Sequence, residues 1–289
     1  MIFEEEVPVF PQGVLLGSAC LLDTVTGDRV PINETARLML SLIDGRRTAR
    51  EIGEAVAERY SVAPQRVIGD FLQLIARLNE KCMLNVATPP TVWPLVLPKI
   101  VKAFVVDIAL GHLRLPLHRK RLDFPNTSGP TGFVSVVRQI SLPAAVMGGI
   151  LSSPVWLLAD GVVHSLWTVV SVAVAFAVSL VLHEAAHAVV LAPVPAFLSL
   201  QGPVFLVGHR KLPPDKGFLV SAAGPVMTGS SGLLLMLMSA LLNSEYLVFA
   251  GEILSLNLLG MTAIAADGRK ALRDLALVLD PPEKRGGKC

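Results

Sequence analysis

His183, Glu184 and His187 stand in the stretch VSLVLHEAAHAVVLA, residues 178–192, where every other side chain is apolar or small. Ionisable groups in such surroundings are costly unless something compensates them. On a helix, a spacing of four sets the two imidazoles on one face, about 6 Å apart at Cβ, close enough to share one metal ion. Glu184 projects beside them, placed to take a proton from an attacking water. The pattern is H-E-x-x-H, with zinc the first candidate metal, His183 and His187 its ligands and Glu184 the catalytic base. Two histidines do not complete a hydrolytic site; a third protein ligand is expected, with one position left open. Asp267, in NLLGMTAIAADGRKAL, is the leading candidate, because it ends an apolar run beside Arg269 and Lys270. His164 and His209 lie near the ends of apolar runs and read better as solvated interfacial residues.

The elements that must hold these residues are long and apolar. The chain has 289 residues, 52% of them hydrophobic, and a mean hydropathy of +0.60, above that of an ordinary soluble domain. The excess is uneven. Residues 1–90 carry 12 acidic and 9 basic side chains, whereas the remainder carries 11 acidic and 16 basic and holds the apolar runs. Four runs, about 140–159, 162–191, 218–242 and 246–266, are each long enough to cross ~30 Å of hydrocarbon. Arg119, Lys120, Arg121 and Arg138 precede the first run. Arg210, Lys211 and Lys216 lie between the second and third, and Arg269, Lys270 and Arg273 follow the fourth. The two remaining connections hold Asp160 and Glu245 but no lysine or arginine. By the positive-inside rule both termini are cytoplasmic, in a multi-pass protein of the inner (cytoplasmic) membrane. His183 and Asp267 then fall at the same inner boundary, where the AAGPV turn at 222–226 also opens the third run.

The first 88 residues read differently. GVLLGSACLLDTVTGDRVPIN has β-type residues broken by a Thr-Gly-Asp turn, which predicts a hairpin. Asn33 caps a helix that Gly45 stops, and Thr48 with Glu51 forms a capping box for a second. Pro64 opens a third helix with Val67, Phe71, Ile75 and Leu78 on one face. The start, MIFEEEVPVF, is acidic and does not read as a signal peptide, and Cys20, Cys82 and Cys289 form no metal or redox spacing. The proline-rich TPPTVWPLVLP opens a linker whose basic continuation suits an anionic membrane surface or a solvated helix equally. The expected organisation is thus an N-terminal α/β winged-helix domain, a β-hairpin plus three helices, at 1–88. A linker with an interfacial basic segment follows at 89–132. Residues 133–289 form a polytopic all-α membrane domain with about four transmembrane helices and a cytosolic tail.

Two resemblances sharpen these expectations. VTGDRVPINETARLMLSLIDGRRTAREIGEAVAERYSV resembles the PqqD-like domains that recognise leader peptides in ribosomal peptide modification systems. That resemblance implies a leader bound as an added strand on the hairpin, around residues 19–25, beside the helix at 64–80. The order of H-E-x-x-H, Ala-Gly-Pro and Asp-Gly over residues 140–275 resembles the site-2 protease family of intramembrane zinc metallopeptidases. It implies His183, His187 and Asp267 as zinc ligands and Glu184 as base. It also points to Gly224, Pro225, Thr228 and Asn257 as substrate-binding positions, with a helix-packing hydrogen bond as the alternative role for Asn257. Thr228 stands where the family often has Asn, and Gly260 ends Asn-Leu-Leu-Gly where the family has Pro; both departures bear on substrate positioning.

The expected function is an intramembrane zinc metalloendopeptidase that removes the leader of a ribosomally synthesised precursor. Its partners are the precursor or leader peptide, the lipid bilayer and peptide-modifying enzymes, with no nucleic acid. Two alternatives stay open: regulated intramembrane proteolysis of a membrane-anchored regulator, and a non-catalytic membrane scaffold of a peptide-modification complex. The topology is testable directly. Cysteines introduced as Asp160→Cys or Glu245→Cys are expected to react with an impermeant maleimide added outside the cell, and Lys211→Cys is not. Outside labelling of Lys211→Cys would invert the orientation.

Overall fold

The computed structural model describes residues 2–98, 118–123, 130–158, 162–201, 204–262 and 266–279. The chain divides into two compact units: Met1–Asp123 with Pro195–Arg210, and Phe124–Val194 with Lys211–Cys289.

The first unit is built on three helices, α1 (Glu34–Ser41), α2 (Ala49–Tyr60) and α3 (Pro64–Glu80). Their ends are set by local chemistry. The Asn33 side chain accepts from the Ala36 N–H, and the Thr48 and Glu51 side chains cap each other's backbone. Val67, Phe71, Ile75 and Leu78 line the buried face of α3 and meet Ile52 and Val56 of α2 in one core. The predicted hairpin is a three-stranded antiparallel sheet, β2 (Val14–Leu16), β3 (Cys20–Asp23) and β4 (Arg29–Pro31), with β3 in the middle. A separate pair joins β1 (Val7–Val9) to β5 (Asn85–Ala87). The wholly buried Glu6 accepts from the Phe3 N–H and the Thr88 hydroxyl and pairs with His118 at 2.8 Å. Burial pushes its pKa up, and the bonds from His118, Thr88 and Phe3 outweigh that and hold it below the usual value.

This unit reaches past the expected boundary at residue 88. A third sheet runs β6 (Lys120–Asp123), β7 (Ala196–Gln201), β8 (Val204–His209), all antiparallel. Its first strand comes from the expected linker, and the other two come from the connection between the second and third apolar runs. Side chains tie it to the N-terminal fold. The amide of Asn85 pairs with both backbone groups of Arg121, at 2.7 and 2.9 Å, and that of Asn79 does the same for Arg119. Arg121 is 2% exposed, donates to Asp23 at 2.7 and 3.3 Å, and lies 4.0 Å over the Phe197 ring. No sequence pattern marked this segment as sheet, because four residues of mixed polarity have no usable period.

The second unit is helical: α4 (Pro130–Leu158), α5 (Val162–Leu191), α6 (Pro214–Leu242), α7 (Glu245–Ser255) and α8 (Ala266–Leu279). Two stretches, Leu166–Leu191 and Pro214–Leu242, are long and apolar enough to cross a membrane. Their outward faces are apolar, with Leu166, Trp167, Val170 and Val174 exposed on α5 and Leu234, Leu237 and Leu241 on α6, while Ser179, Glu184, His187, Ser221 and Thr228 are buried. The expectation of four spans is met only in part. Overlapping the first run, the apolar stretch found among the described residues is the shorter Val134–Val146. The fourth run is not one helix: α7 has 11 residues and gives way to a 3-10 turn over Leu256–Met261. Eleven residues rise about 16 Å, well short of a bilayer core. Gly232 of α6 and Gly251 of α7 let the two backbones touch, since a Cβ on Gly232 would fall 2.6 Å from the Gly251 carbonyl oxygen.

Removing one member of a buried ion pair leaves the other charge stranded. Arg121→Met is therefore expected to lower the opening free energy of β3 and β6 by about 3–5 kcal/mol, read by amide hydrogen exchange on the full-length chain. Asp23→Asn in the same chain should recover most of the loss, because Asn keeps the acceptor for the Val25 N–H. A single variant indistinguishable from wild type would show that Arg121 does not hold the sheet.

Candidate metal centre

His183, Glu184 and His187 occupy the last three turns of α5, where Ala185 and Ala186 are buried and keep the neighbouring helices close. The spacing of four does what the sequence predicts: the two imidazole rings lie 4.8 Å apart between centroids, at 75° to one another. Asp267, 80 residues beyond His187 in sequence, reaches the same place from the first turn of α8. Its Oδ2 is 3.1 Å from His183 Nε2 and 3.7 Å from His187 Nε2. One ligand atom from each of the three residues lies within 4.8 Å of the others.

Three observations test whether this group suits a metal ion. First, ligands ~2.0–2.2 Å from a tetrahedral zinc are separated by roughly 3.3 Å, and the two carboxylate-to-imidazole distances, 3.1 and 3.7 Å, bracket that value. Second, His187 Nδ1 lies 2.6 Å from the Val220 carbonyl oxygen. A carbonyl only accepts, so Nδ1 carries the proton and Nε2 presents its lone pair to the centre, the arrangement that orients histidine ligands. Third, Gly224 of α6 faces the gap between the rings. A Cβ there would fall 2.5 Å from His187 Nε2 and 2.7 Å from His183 Nε2. Space at the two Nε2 atoms is kept open by the absence of one methyl group. The residues fit a zinc ion.

Glu184 is buried beside the histidines, at 8% exposure. Of the expected substrate-binding positions, Gly224 floors the cradle, Pro225 is buried behind it, and Thr228 is wholly buried with its hydroxyl unpartnered among the described residues. Asn257 has a packing contact: its amide donates to the Ser179 hydroxyl at 2.8 Å, one turn before His183, and fastens the 3-10 segment to α5. His209 lies on β8 in the first unit, with Nδ1 2.7 Å from the Arg210 carbonyl oxygen, and the side chain of His164 is outside the described residues. Among the described residues, the Val220 carbonyl is a contact that sequence reasoning missed; a backbone oxygen leaves no residue-type signature.

The first unit offers a second candidate surface, and here the strand-addition expectation is corrected. Residues 19–25 cannot take an added strand, because β3 is already paired on both sides. Among the described residues the unpaired edges of this sheet are β2 and β4. The Asp23 N–H bonds the Asp28 carbonyl and the Ile32 N–H bonds the Ala19 carbonyl, so even-numbered residues of β4 face β3. Arg29 and Pro31 therefore turn their backbone groups outward, and only Arg29 has an N–H to give. A cleft lined by Asp28, Arg29, Val30, Lys81, Met83 and Arg119 runs between this edge and the end of α3.

Residues 19–84 match the family described as Coenzyme PQQ synthesis protein D (PqqD). The match runs from β3 to the end of the core helices, so a PqqD domain, a peptide-recognition module of ribosomal peptide modification systems, occupies that part of the chain. It does not extend to α4–α8. Comparisons with curated proteins and with solved structures gave no match.

Gly224→Ala places a methyl group in the cradle while His183, His187 and Asp267 stay unsubstituted. It is expected to abolish stoichiometric zinc uptake, measured by equilibrium dialysis and metal analysis, with little change in helix content. Uptake of one zinc per chain by Gly224→Ala would show that a metal does not sit between the two Nε2 atoms.

Proposed function

We propose that this chain is a membrane-embedded zinc endopeptidase that removes the leader from a ribosomally made precursor held by its PqqD domain. The observation that carries the proposal is the convergence of His183, His187 and Asp267 on the space in front of Gly224, in a chain that also bears a peptide-recognition domain. His183, His187 and Asp267 hold the metal. Bound there, zinc supplies Lewis acidity, polarising a scissile carbonyl and activating water near neutral pH. Glu184 accepts the water's proton and returns it to the departing amine. The Val220 carbonyl fixes the His187 tautomer, and Asn257 holds the 3-10 segment against α5 a turn away.

Membrane residence is supported by the two long apolar helices and their apolar outward faces. The inside-positive charge pattern supports a cytoplasmic reading of the α5–α6 connection. That connection contains β7 and β8, which belong to the same compact unit as the PqqD domain.

For the leader we assign the outer edge of β4 and the adjoining cleft. Strand addition there draws on one N–H, from Arg29, and the carbonyls of Arg29 and Pro31, so backbone bonds are few and side chains in the cleft must supply selectivity. PqqD domains bind precursor peptides and partner modification enzymes, which suits such a groove. Tethering to a membrane-held protease raises local concentration to about the millimolar range, enough for a weak leader contact to direct cleavage.

The test uses the purified full-length chain and a precursor peptide whose leader binds its PqqD domain. Glu184→Gln should retain zinc and lose cleavage by about 10²–10⁴-fold, because a base is lost and no ligand. Deleting residues 1–88 should slow cleavage of the full precursor far more than of a leaderless peptide with the same scissile bond. Wild-type cleavage by Glu184→Gln would refute the mechanism, and a zinc-loaded chain that cuts neither substrate would leave a scaffold. Equal slowing on both substrates would reduce the N-terminal unit to structural support.

A further inference from the structure

Asp274 of α8 is 6% exposed, a carboxylate held inside an apolar helical unit. Its Oδ1 accepts from Arg273 Nε and Nη2 at 3.2 and 3.1 Å, yet the Arg273 side chain is 69% exposed, so that pair does not explain the burial. The other oxygen faces α6. A Cβ on Gly217 would fall 2.4 Å from Asp274 Oδ2, so the carboxylate seats directly against the glycine's Cα. Gly217 is the fourth residue of α6, and the positive end of the helix dipole favours a carboxylate there.

Periodicity connects this contact to the metal centre. Asp267 and Asp274 are seven residues apart on α8, and Gly217 and Gly224 are seven apart on α6, so each pair shares a helix face. Gly224 faces the histidines that Asp267 reaches, and Gly217 faces Asp274. The two helices thus run antiparallel and meet at two points about 10 Å apart. At each point a glycine on α6 makes room for polar groups of the opposing elements.

We infer that Asp274 is a positioning residue: seated on Gly217, it fixes the rotation and height of α8 so that Asp267 Oδ2 reaches both His183 and His187. The inference rests on the zinc reading above. Asp274 touches neither metal nor substrate and acts through Asp267. The contact is selective for its two members, since a side chain at 217 displaces the carboxylate and an apolar residue at 274 forfeits the dipole.

A double-mutant cycle on the full-length chain in detergent tests it, with zinc affinity read by competition against a chromophoric chelator. Asp274→Ala is expected to weaken zinc binding by about 10–100-fold, as loss of an outer partner of a metal ligand does, and Asp274→Asn, which keeps the shape, to restore most of it. In an Asp267→Ala background, Asp274→Ala should add nothing, because the residue through which it acts is gone. Gly217→Ala approaches the same contact from the other helix and should give the same loss and the same dependence on Asp267. It keeps the test decisive if Asp274→Ala does not fold. Unchanged affinity in both single variants, or an equal added loss in the Asp267→Ala background, overturns the inference. Wild-type protein that takes up no zinc overturns the metal reading with it, whereas failure of the cycle with intact Asp267 dependence overturns the inference alone.

Discussion

Two imidazoles and a carboxylate inside an apolar helix cannot be left to their surroundings, because hydrocarbon and leucine offer no hydrogen bonds. Much of the second unit follows from that constraint. α5 turns Ser179, Glu184 and His187 inward while Leu166, Trp167 and Val170 face out. The Val220 carbonyl gives up a lone pair to His187, which a backbone oxygen inside a regular helix can do because it accepts twice. Asp267 arrives from a helix distant in sequence to face both Nε2 atoms. Gly224 withholds a side chain where any Cβ would close the gap. Four side-chain polar atoms, Gln139 Oε1, His183 Nδ1, Ser221 Oγ and Thr228 Oγ1, are buried without a partner among the described residues.

The first unit meets a related problem without a metal. Arg121 and Asp23 are both buried, and each is surrounded by further acceptors or donors: the Gln12 carbonyl for the guanidinium, the Val25 N–H and Thr26 hydroxyl for the carboxylate. Such a pair adds little net stability but tolerates few alternatives, since either charge alone is expensive. Its effect is to fix a strand from the linker, and through it the β7–β8 hairpin, to the PqqD domain. The chain that leaves the H-E-x-x-H helix enters this sheet within a few residues and returns from it to the helix carrying Gly224. The chain passes between the two units three times, after Asp123, Val194 and Arg210.

The parts legible in the sequence were those with a local code. Asn33 and Thr48 with Glu51 marked helix starts, the period of Val67, Phe71, Ile75 and Leu78 gave the core face of α3, and a spacing of four put the histidines together. Asp267 was reachable because it ends an apolar run beside Arg269 and Lys270, at the same boundary as His183. What lacked a code was missed or misplaced. The leader edge was set on residues 19–25, but which strand of a three-stranded sheet lies in the middle is decided by pairing, not by composition. The fourth apolar run breaks into α7 and a 3-10 turn that no hydropathy window distinguishes from a continuous span. The β6–β7–β8 sheet joins segments about 75 residues apart, and long-range pairing of short strands has no signature in a single sequence.

The central claim is that His183, His187 and Asp267 together bind zinc. Zinc K-edge X-ray absorption on the purified, zinc-loaded chain tests it most directly. Two imidazoles and oxygen donors at ~2.0–2.2 Å, with one imidazole lost in His187→Ala and zinc binding weakened in Asp267→Ala, is the predicted result. Sulfur scattering, or a spectrum unchanged by His187→Ala, would place the metal elsewhere and contradict it.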